Sequence, residues 1–204
     1  MYLEYTGVFD RIRRHYFRKI LSRIREDGCR RMLDYGCGPG DVLLLARDEG
    51  IEAVGIDSFP RSVSLAEKRG LKVLLGDYNH PDLAEGSFDA ILLQSVIEHM
   101  PEPVAPLARL AKLLRPGGYL IVSAPTPCAD FWNDPTHVRP HTPRSLVTLG
   151  ELLELEVEEV NYVFSFLLGF RLQAGGWYKL FNLVPFSLGS NLIAFYRRRT
   201  DARV

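Results

Sequence analysis

The sequence has few cysteines, no excess of either charge, and no spacing typical of a disulfide framework. Its 204 residues include three cysteines and equal numbers, 25 each, of basic and acidic residues. Three cysteines without C-x-x-C spacing argue against a disulfide-stabilised scaffold, and we expect a reducing, cytoplasmic setting. A formal net charge of zero provides no general attraction to nucleic acid, so we do not expect nucleic acid as a partner.

A secretion signal and a membrane-spanning run are also missing. The opening residues, MYLEYT, contain neither the basic nor the apolar region of a secretion signal. Residues 180–196 carry no charge and approach the length of a spanning helix. Polar and helix-breaking residues interrupt them: Asn182, Pro185, Ser187, Gly189, Ser190 and Asn191. We therefore predict no transmembrane segment, and leave peripheral membrane contact open.

A glycine-rich turn is the most informative feature that is present. Residues 33–40 read LDYGCGPG, an apolar strand that ends at a carboxylate and turns through three glycines into a helix. Glycine permits positive φ and close approach of a ligand to the backbone, and the open N–H groups of a helix start favour an anion. A second apolar strand ends at Asp57, at the offset of about 20 residues where a carboxylate reaches ribose hydroxyls. The spacing G-x-G-x-G is one residue shorter than the nicotinamide fingerprint G-x-G-x-x-G, so a nicotinamide cofactor is the weaker alternative.

Further motifs follow in a recognisable order. Gly76 and Asp77 follow a third strand, FDAILL at 88–93 is a fourth, and LRPGGYLIV at 114–122 leads into a fifth. Over about residues 30–125 this set resembles the class I S-adenosylmethionine-dependent methyltransferases. The segment IEHMP at 97–101 is similar to the branch of ubiquinone-biosynthesis and related small-molecule methyltransferases.

The alternation of strand and helix patterns predicts an α/β fold. We expect a three-layer α/β/α sandwich around a mostly parallel seven-stranded sheet with an antiparallel C-terminal strand. Strands are predicted near residues 31–35, 52–57, 72–75, 88–93, 118–124, 155–166 and 191–199. Helices are predicted near 8–26, 40–49, 61–69, 103–114 and 144–153, with a turn at 116–118. Thr142 is the predicted cap of the last of these helices, with Pro143 at its first position. The basic face of the first helix is either a solvated flank or a contact for an anionic acceptor or a membrane surface.

We predict a single domain over residues 1–204. It comprises an N-terminal helical segment at 1–28, an active-site loop at 126–143, and an insertion at 167–190 between the last two strands.

The resemblance implies S-adenosylmethionine as the cofactor. It assigns Asp34 and the glycine turn to the methionine moiety, Asp57 to the ribose hydroxyls, and Phe59 and Asp77 to the adenine. The predicted cofactor-binding residues are Asp34, Gly36, Cys37, Gly38, Gly40, Asp57, Ser58, Phe59, Asp77, Tyr78, Gln94 and Ser95.

The methyl group on a sulfonium is already electrophilic, so the protein must mainly align a nucleophile and exclude water. A hydroxyl nucleophile also needs a base, and His99 and His137 are the predicted catalytic residues. His141 directly precedes a helix start and is predicted to be structural. Ubiquinone-type relatives can hold a divalent metal at the Glu-His segment, but Ser95 stands at the position of its first acidic residue, so we predict no metal site.

The predicted function is methyl transfer to a small-molecule acceptor, at oxygen, with the acceptor lipophilic or anionic. The alternatives are transfer to nitrogen or carbon, a nicotinamide-dependent oxidoreductase, and a non-catalytic module that keeps the cofactor pocket. The sequence gives neither the acceptor nor the oligomeric state.

Overall fold

One seven-stranded sheet lies between two layers of helices. The computed structural model describes residues 8–127, 129–164 and 190–200. The strands are β1 (Arg31–Tyr35), β2 (Glu52–Asp57), β3 (Val73–Leu75), β4 (Phe88–Gln94), β5 (Leu114–Pro125), β6 (Glu156–Phe164) and β7 (Ser190–Arg197). The helices are α1 (Val8–Glu26), α2 (Asp41–Asp48), α3 (Pro60–Lys68), α4 (Val104–Leu113) and α5 (Pro143–Leu152), with short 3₁₀ helices at Ile97–His99 and Ala129–Asn133.

The strand order confirms the predicted α/β architecture. It is β3-β2-β1-β4-β5-β7-β6, with β1 to β5 parallel and β7 antiparallel to both β5 and β6. After β1 the chain builds outward to β2 and β3, then returns to the other side of β1 to form β4. Ligands bind in such sheets at the carboxyl ends of the strands beside this reversal.

Different helices cover the two faces of the sheet, because successive side chains of a strand point to opposite faces. Met32 of β1 packs in a cluster with side chains of α1 and α2, whereas its neighbour Leu33 packs in a cluster with side chains of α4 and α5. Both residues are fully buried. This arrangement is the predicted three-layer sandwich.

The strand β5 begins earlier than predicted. It starts at Leu114, directly after α4, whereas the sequence predicted a turn at 116–118 and a strand from 118. Leu114 pairs with Phe88 and Tyr119 with Ala90, so the sheet register shifts between these pairs. Gly117 has φ 76°, and its N–H donates to Arg198 O at 2.8 Å. The predicted turn is therefore an irregularity within the strand.

The start of α5 is the one that the sequence predicts. Thr142 accepts a hydrogen bond from Ser145 N at 3.1 Å and donates its own N–H to Ser145 Oγ at 2.8 Å, which forms a capping box, and Pro143 occupies the first turn. Such caps satisfy N–H groups that a helix start leaves open. The predicted insertion at 167–190 lies almost wholly outside the described residues. In the part of the chain that the structure describes, no helix has the length and apolar character needed to cross a membrane.

Candidate functional site

Two adjoining cavities open at the carboxyl ends of the strands. The larger has a volume of about 1230 Å³ and is lined by residues from α1, the glycine turn, the ends of β2 and β4, and the loop after β5. The smaller has a volume of about 390 Å³ and lies beyond the ends of β2 and β3. Ser58 lines both. Since cavities for one small ligand span about 300–1,000 Å³, the larger has room for part of a cofactor and an acceptor together.

The glycine turn needs glycine for both conformation and space. Gly36 and Gly40 have φ of 75° and 86°, in the left-handed region that side chains disfavour. A Cβ on Gly36 would lie 2.5 Å from Val96 Cγ2. Cys37 is buried and lines the larger cavity, and its Sγ occupies the space that a Cβ on Gly55 would need.

Asp57 fixes the shape of the turn as well as facing the cavity. Its Oδ2 accepts the N–H of Gly38 at 2.8 Å, and its Oδ1 accepts the N–H of Phe59 at 2.8 Å. A carboxylate has about four lone-pair sites, so each oxygen keeps one for a ligand hydroxyl. The sequence predicted the ligand contact but not the bond to Gly38.

Asp34 is a buried carboxylate without a hydrogen-bond donor among the described residues. Its side chain belongs to the lining of the larger cavity and the residue is 2% exposed. Burial, together with the negative charges of Asp57 and Asp41, raises its pKa to about 7. A cation beside it would reverse this shift, because an opposite charge favours the ionised form.

The smaller cavity receives only some of the predicted adenine contacts. Asp77 lines it, and its Oδ1 accepts Asn79 N at 2.8 Å. Phe59 and Tyr78 do not belong to the described lining of either cavity. Leu75, which is 51% exposed, supplies apolar surface there instead. The sequence analysis did not identify Leu75, because a leucine at the end of a strand belongs to no functional motif.

At the end of β4 the chain enters the larger cavity in a constrained conformation. Gln94 and Ser95 both line this cavity. Ser95 has φ 52° and is one of two non-glycine residues with positive φ among those described. Its N–H donates to Ser123 O at 2.8 Å, which holds it against β5. Backbone strain of this kind is concentrated at functional sites.

Three side chains converge just beyond this point, and we call them the Glu98 cluster: Glu98, His99 and His137. One ligand-type atom from each lies within 4.8 Å of the others, and all three line the larger cavity. The imidazole centroids of the two histidines are 4.9 Å apart. The structure therefore brings both predicted catalytic residues together, with Glu98 of the Glu-His segment as their neighbour, a residue for which the sequence analysis predicted no catalytic role.

Both imidazoles of the cluster are held through Nδ1. His137 Nδ1 lies 2.7 Å from Phe131 O, and His99 Nδ1 lies 3.2 Å from Thr136 O. A carbonyl oxygen only accepts hydrogen bonds, so each Nδ1 carries the proton. Each neutral imidazole consequently keeps an unprotonated Nε2, with a lone pair available to a proton or a metal ion.

Glu98 is the member of the cluster whose side chain has no hydrogen-bond partner among the described residues. The residue is 1% exposed, and neither carboxylate oxygen has a hydrogen-bond partner among the described residues. Burial raises its pKa to about 7. Buried polar groups normally have partners, so two orphaned oxygens facing a cavity are a place where a ligand fits. With the two open Nε2 atoms they form a donor set that suits a divalent cation.

The predicted structural role of His141 agrees with its burial. It is 3% exposed, and burial lowers its pKa, opposed by a hydrogen bond with the backbone of Ile97. His141 therefore belongs to the packing beneath the loop.

The N-terminal helix contributes residues that the sequence analysis left undecided between a solvated flank and a contact for anions. Arg18 and Arg23 pair with acidic groups, the former with Asp48 at 3.6 Å. Arg13 and Arg14 instead line the larger cavity, and Arg13 also pairs with Asp41 at 3.0 Å. The helix thus has ion pairs along one part of its length and two arginines in the cavity lining.

Comparison with known proteins identifies the family of this chain. A family described as "Methyltransferase domain" matches residues 9–160. A ubiquinone biosynthesis O-methyltransferase from Cereibacter sphaeroides is 35% identical over 99 residues, 46% of this chain and 40% of that protein. A trans-aconitate 2-methyltransferase from Mycobacterium sp. (strain KMS) is 32% identical over 127 residues, 59% of this chain and 48% of that protein. The chain thus spans less than half the length of these curated relatives.

A solved structure matches over most of the fold. The SAM-dependent methyltransferase from Archaeoglobus fulgidus superposes with a TM-score of 0.69 at 22% identity, covering 91% of this chain and 94% of that chain. The family match and the fold place this chain among the class I S-adenosylmethionine-dependent methyltransferases, a class whose cofactor is S-adenosylmethionine. The chain belongs to the methyltransferase domain family that matches residues 9–160.

Proposed function

We propose that this protein transfers the methyl group of S-adenosylmethionine to an oxygen atom of a small molecule, which binds beside the Glu98 cluster. The observation that carries the proposal is that two imidazoles with open Nε2 atoms share one cavity with the Asp34 carboxylate and the glycine turn. A hydroxyl nucleophile needs a proton acceptor at this place, whereas a neutral amine does not. The relative named as an O-methyltransferase also supports oxygen.

The cofactor residues have distinct tasks in this proposal. Asp34 faces the ammonium group, and Asp57 accepts from the ribose hydroxyls while it holds Gly38 in place. Arg13, Arg14 and Arg69 are the guanidinium groups of the cavity lining, and any of them can pair with the methionine carboxylate, since guanidinium matches a carboxylate in shape and charge. Asp77 and Leu75 serve the adenine through a hydrogen bond and an apolar contact.

The reaction then requires that the acceptor oxygen is aligned with the methyl group and that the proton of the acceptor hydroxyl is taken up. S-adenosylmethionine supplies a methyl group on a cationic sulfur, which becomes a neutral thioether as the methyl carbon is lost. The acceptor oxygen forms the new bond to this carbon, and its proton passes to the Glu98 cluster. Gln94 and Ser95 close the floor between the two partners, which favours a fixed attack geometry.

Binding and methyl transfer test the proposal separately. We expect S-adenosylhomocysteine to raise the melting temperature and NAD to leave it unchanged. We further expect methyl transfer from radiolabelled S-adenosylmethionine to members of a panel of phenols, catechols and carboxylates, trans-aconitate included, above transfer to matched amines. Stabilisation by NAD alone would favour the oxidoreductase alternative. Binding without transfer to any acceptor would favour a non-catalytic module.

The raised pKa of Asp34 predicts a pH-dependent affinity for the cofactor. Below about pH 7 the empty site holds a proton on Asp34, which a bound ammonium group must displace. The affinity for S-adenosylhomocysteine should therefore rise between pH 5.5 and 7 and level off above, by up to tenfold per unit. Calorimetry in two buffers of different ionisation enthalpy would count the released proton.

Asp34→Asn is the control for this pH dependence, because Glu98 lines the same cavity and also has a raised pKa. The variant should bind more weakly and lose most of the slope. An unchanged slope in Asp34→Asn would assign the effect to another group.

The free energy of unfolding of the ligand-free wild-type protein should fall as the pH rises from about 4 to 7. The reason is that its folded state binds the Asp34 proton more tightly than the unfolded chain does.

A further inference from the structure

We propose that His80 recognises the adenine of the cofactor. Its Nε2–H donates a hydrogen bond to one of the two ring nitrogens that flank the adenine amino group, N1 or N7, while Asp77 accepts from that amino group. The place of the adenine in the smaller cavity rests on the proposed function. The role of His80 rests on how its own side chain is held, since His80 belongs to none of the motifs that identify the cofactor site.

The imidazole of His80 is sheltered but open to a ligand. His80 lines the smaller cavity together with Asp77, and its side chain is 21% exposed. A Cβ on Gly76 would lie 3.0 Å from His80 Cδ2. Glycine directly after β3 therefore lets the imidazole lie close against the backbone at this edge of the sheet.

A backbone hydrogen bond fixes which nitrogen of this imidazole carries the proton. Asp82 N donates to His80 Nδ1 at 3.2 Å. A backbone N–H only donates, so Nδ1 is the unprotonated acceptor and the neutral imidazole carries its proton on Nε2. None of the described residues accepts a hydrogen bond from this Nε2–H. His80 therefore offers a donor, whereas His99 and His137 keep an unprotonated Nε2.

The backbone around His80 is also held in place. His80 N donates to Asp77 O at 3.0 Å, and His80 O accepts Leu83 N at 3.1 Å. Pro81 follows, and a proline restricts the backbone conformation of the residue before it. A side chain that is positioned before the ligand arrives loses little freedom on binding.

Asp77 and His80 together complement the hydrogen-bonding pattern of adenine. Asp77 Oδ1 accepts Asn79 N at 2.8 Å, and the described residues make no use of Oδ2, which can accept from the amino group. Adenine presents this amino donor next to ring nitrogens that are acceptors, and the Nε2–H of His80 is the donor that such a nitrogen requires. Hypoxanthine has a carbonyl acceptor in place of the amino group, so we expect the cavity to reject it.

The test compares deaza analogues of S-adenosylhomocysteine by calorimetry. With wild-type protein, either the 1-deaza or the 7-deaza analogue should bind at least about fivefold more weakly than S-adenosylhomocysteine, because a C–H then faces the Nε2–H of His80 and leaves it without an acceptor. The 3-deaza analogue should bind within about threefold of S-adenosylhomocysteine, because N3 does not flank the amino group.

Variants of His80 connect this loss to the imidazole. His80→Phe keeps an aromatic ring without the donor, so it should bind S-adenosylhomocysteine and the sensitive deaza analogue equally well. This coupling between ligand and side chain would not arise from a purely structural role. In His80→Gln the amide can turn to donate or to accept, so this variant should discriminate less against S-inosylhomocysteine. His15→Phe replaces an exposed histidine of α1 and should bind all the ligands as the wild type does.

Several results would overturn the role of His80. They are equal binding of the 1-deaza, 7-deaza and parent ligands by the wild type, a loss confined to the 3-deaza analogue, and a loss that persists in folded His80→Phe. If circular dichroism shows that His80→Phe does not fold, His80→Gln and ¹⁵N spectra of the wild type decide. The spectra should show ligand-free His80 protonated at Nε2, and protonation at Nδ1 instead would overturn the proposal.

These outcomes separate the inference from the proposed function. Protein that binds S-adenosylhomocysteine and transfers methyl groups, yet does not distinguish the deaza analogues, overturns the role of His80 alone. Protein that shows the expected discrimination but transfers no methyl group supports the role of His80 and overturns the proposed reaction.

Discussion

Replacing Asp57 with alanine is expected to lower the affinity for S-adenosylhomocysteine by at least about 100-fold. The carboxylate faces the ribose hydroxyls in the proposed complex and holds Gly38 N at 2.8 Å. Hydrogen bonds to a charged group contribute about 1.5–3 kcal/mol each, and about 1.4 kcal/mol corresponds to a factor of ten. Two such bonds to the ligand therefore account for the predicted loss of affinity, and loosening of the glycine turn increases this loss. Isothermal titration calorimetry measures the affinity directly.

Two variants make the Asp57 result interpretable. Asp57→Asn keeps one acceptor oxygen, so its affinity should lie between those of the wild type and Asp57→Ala. Asp48→Ala removes an exposed carboxylate at the end of α2 and should leave the affinity within threefold of wild type. An affinity near wild type in a folded Asp57→Ala protein would reject the assignment of the ribose to this strand end.

The second large effect is expected on turnover. His99→Ala and His137→Ala should each lower kcat by about 10²–10⁴-fold, the usual contribution of positioned proton transfer, because both imidazoles line the cavity in which the acceptor is proposed to bind. Affinity for S-adenosylhomocysteine should stay within threefold. Initial rates with the best acceptor from the panel, together with calorimetry, separate the two quantities.

The paired variant gives the sharper result. If the two histidines act as one unit, the double substitution should cost little more than the worse single one, since effects within a unit are strongly non-additive. His15→Ala is the matched control and should retain wild-type turnover. Full turnover in both single variants would exclude histidine from acceptor activation.

Much of the fold could be predicted because its signals are local. Apolar runs that end at Asp34 and Asp57, with glycines between them, specify strand, turn and helix within a few dozen residues. The capping of α5 by Thr142 is local in the same sense. The early start of β5 was missed because the pattern of Pro116 to Gly118 is that of a turn, and only pairing with β4 makes the preceding residues part of the sheet.

The site could be predicted less completely, because it is formed by side chains from segments that are far apart in the sequence. Position at a strand end was enough to nominate Asp34, Asp57 and His99, and His137 was nominated from its place in the long loop after the fifth strand. The hydrogen bond from Gly38 to Asp57 and the open carboxylate of Glu98 depend on how separate segments meet. Glu98 belongs to the Glu-His segment that the resemblance identifies, but its burial and its lack of hydrogen-bond partners among the described residues follow only from the fold.

The two hydrogen bonds from Val138 and Arg139 to Glu98 O have a practical consequence for engineering. These bonds join residues 97–99 to the loop from 131 to 139. Exchanging only one of the two segments with that of another methyltransferase would break these hydrogen bonds. A chimera intended to accept a new substrate should therefore transplant both segments in one step, leaving the nucleoside half of the pocket to the host.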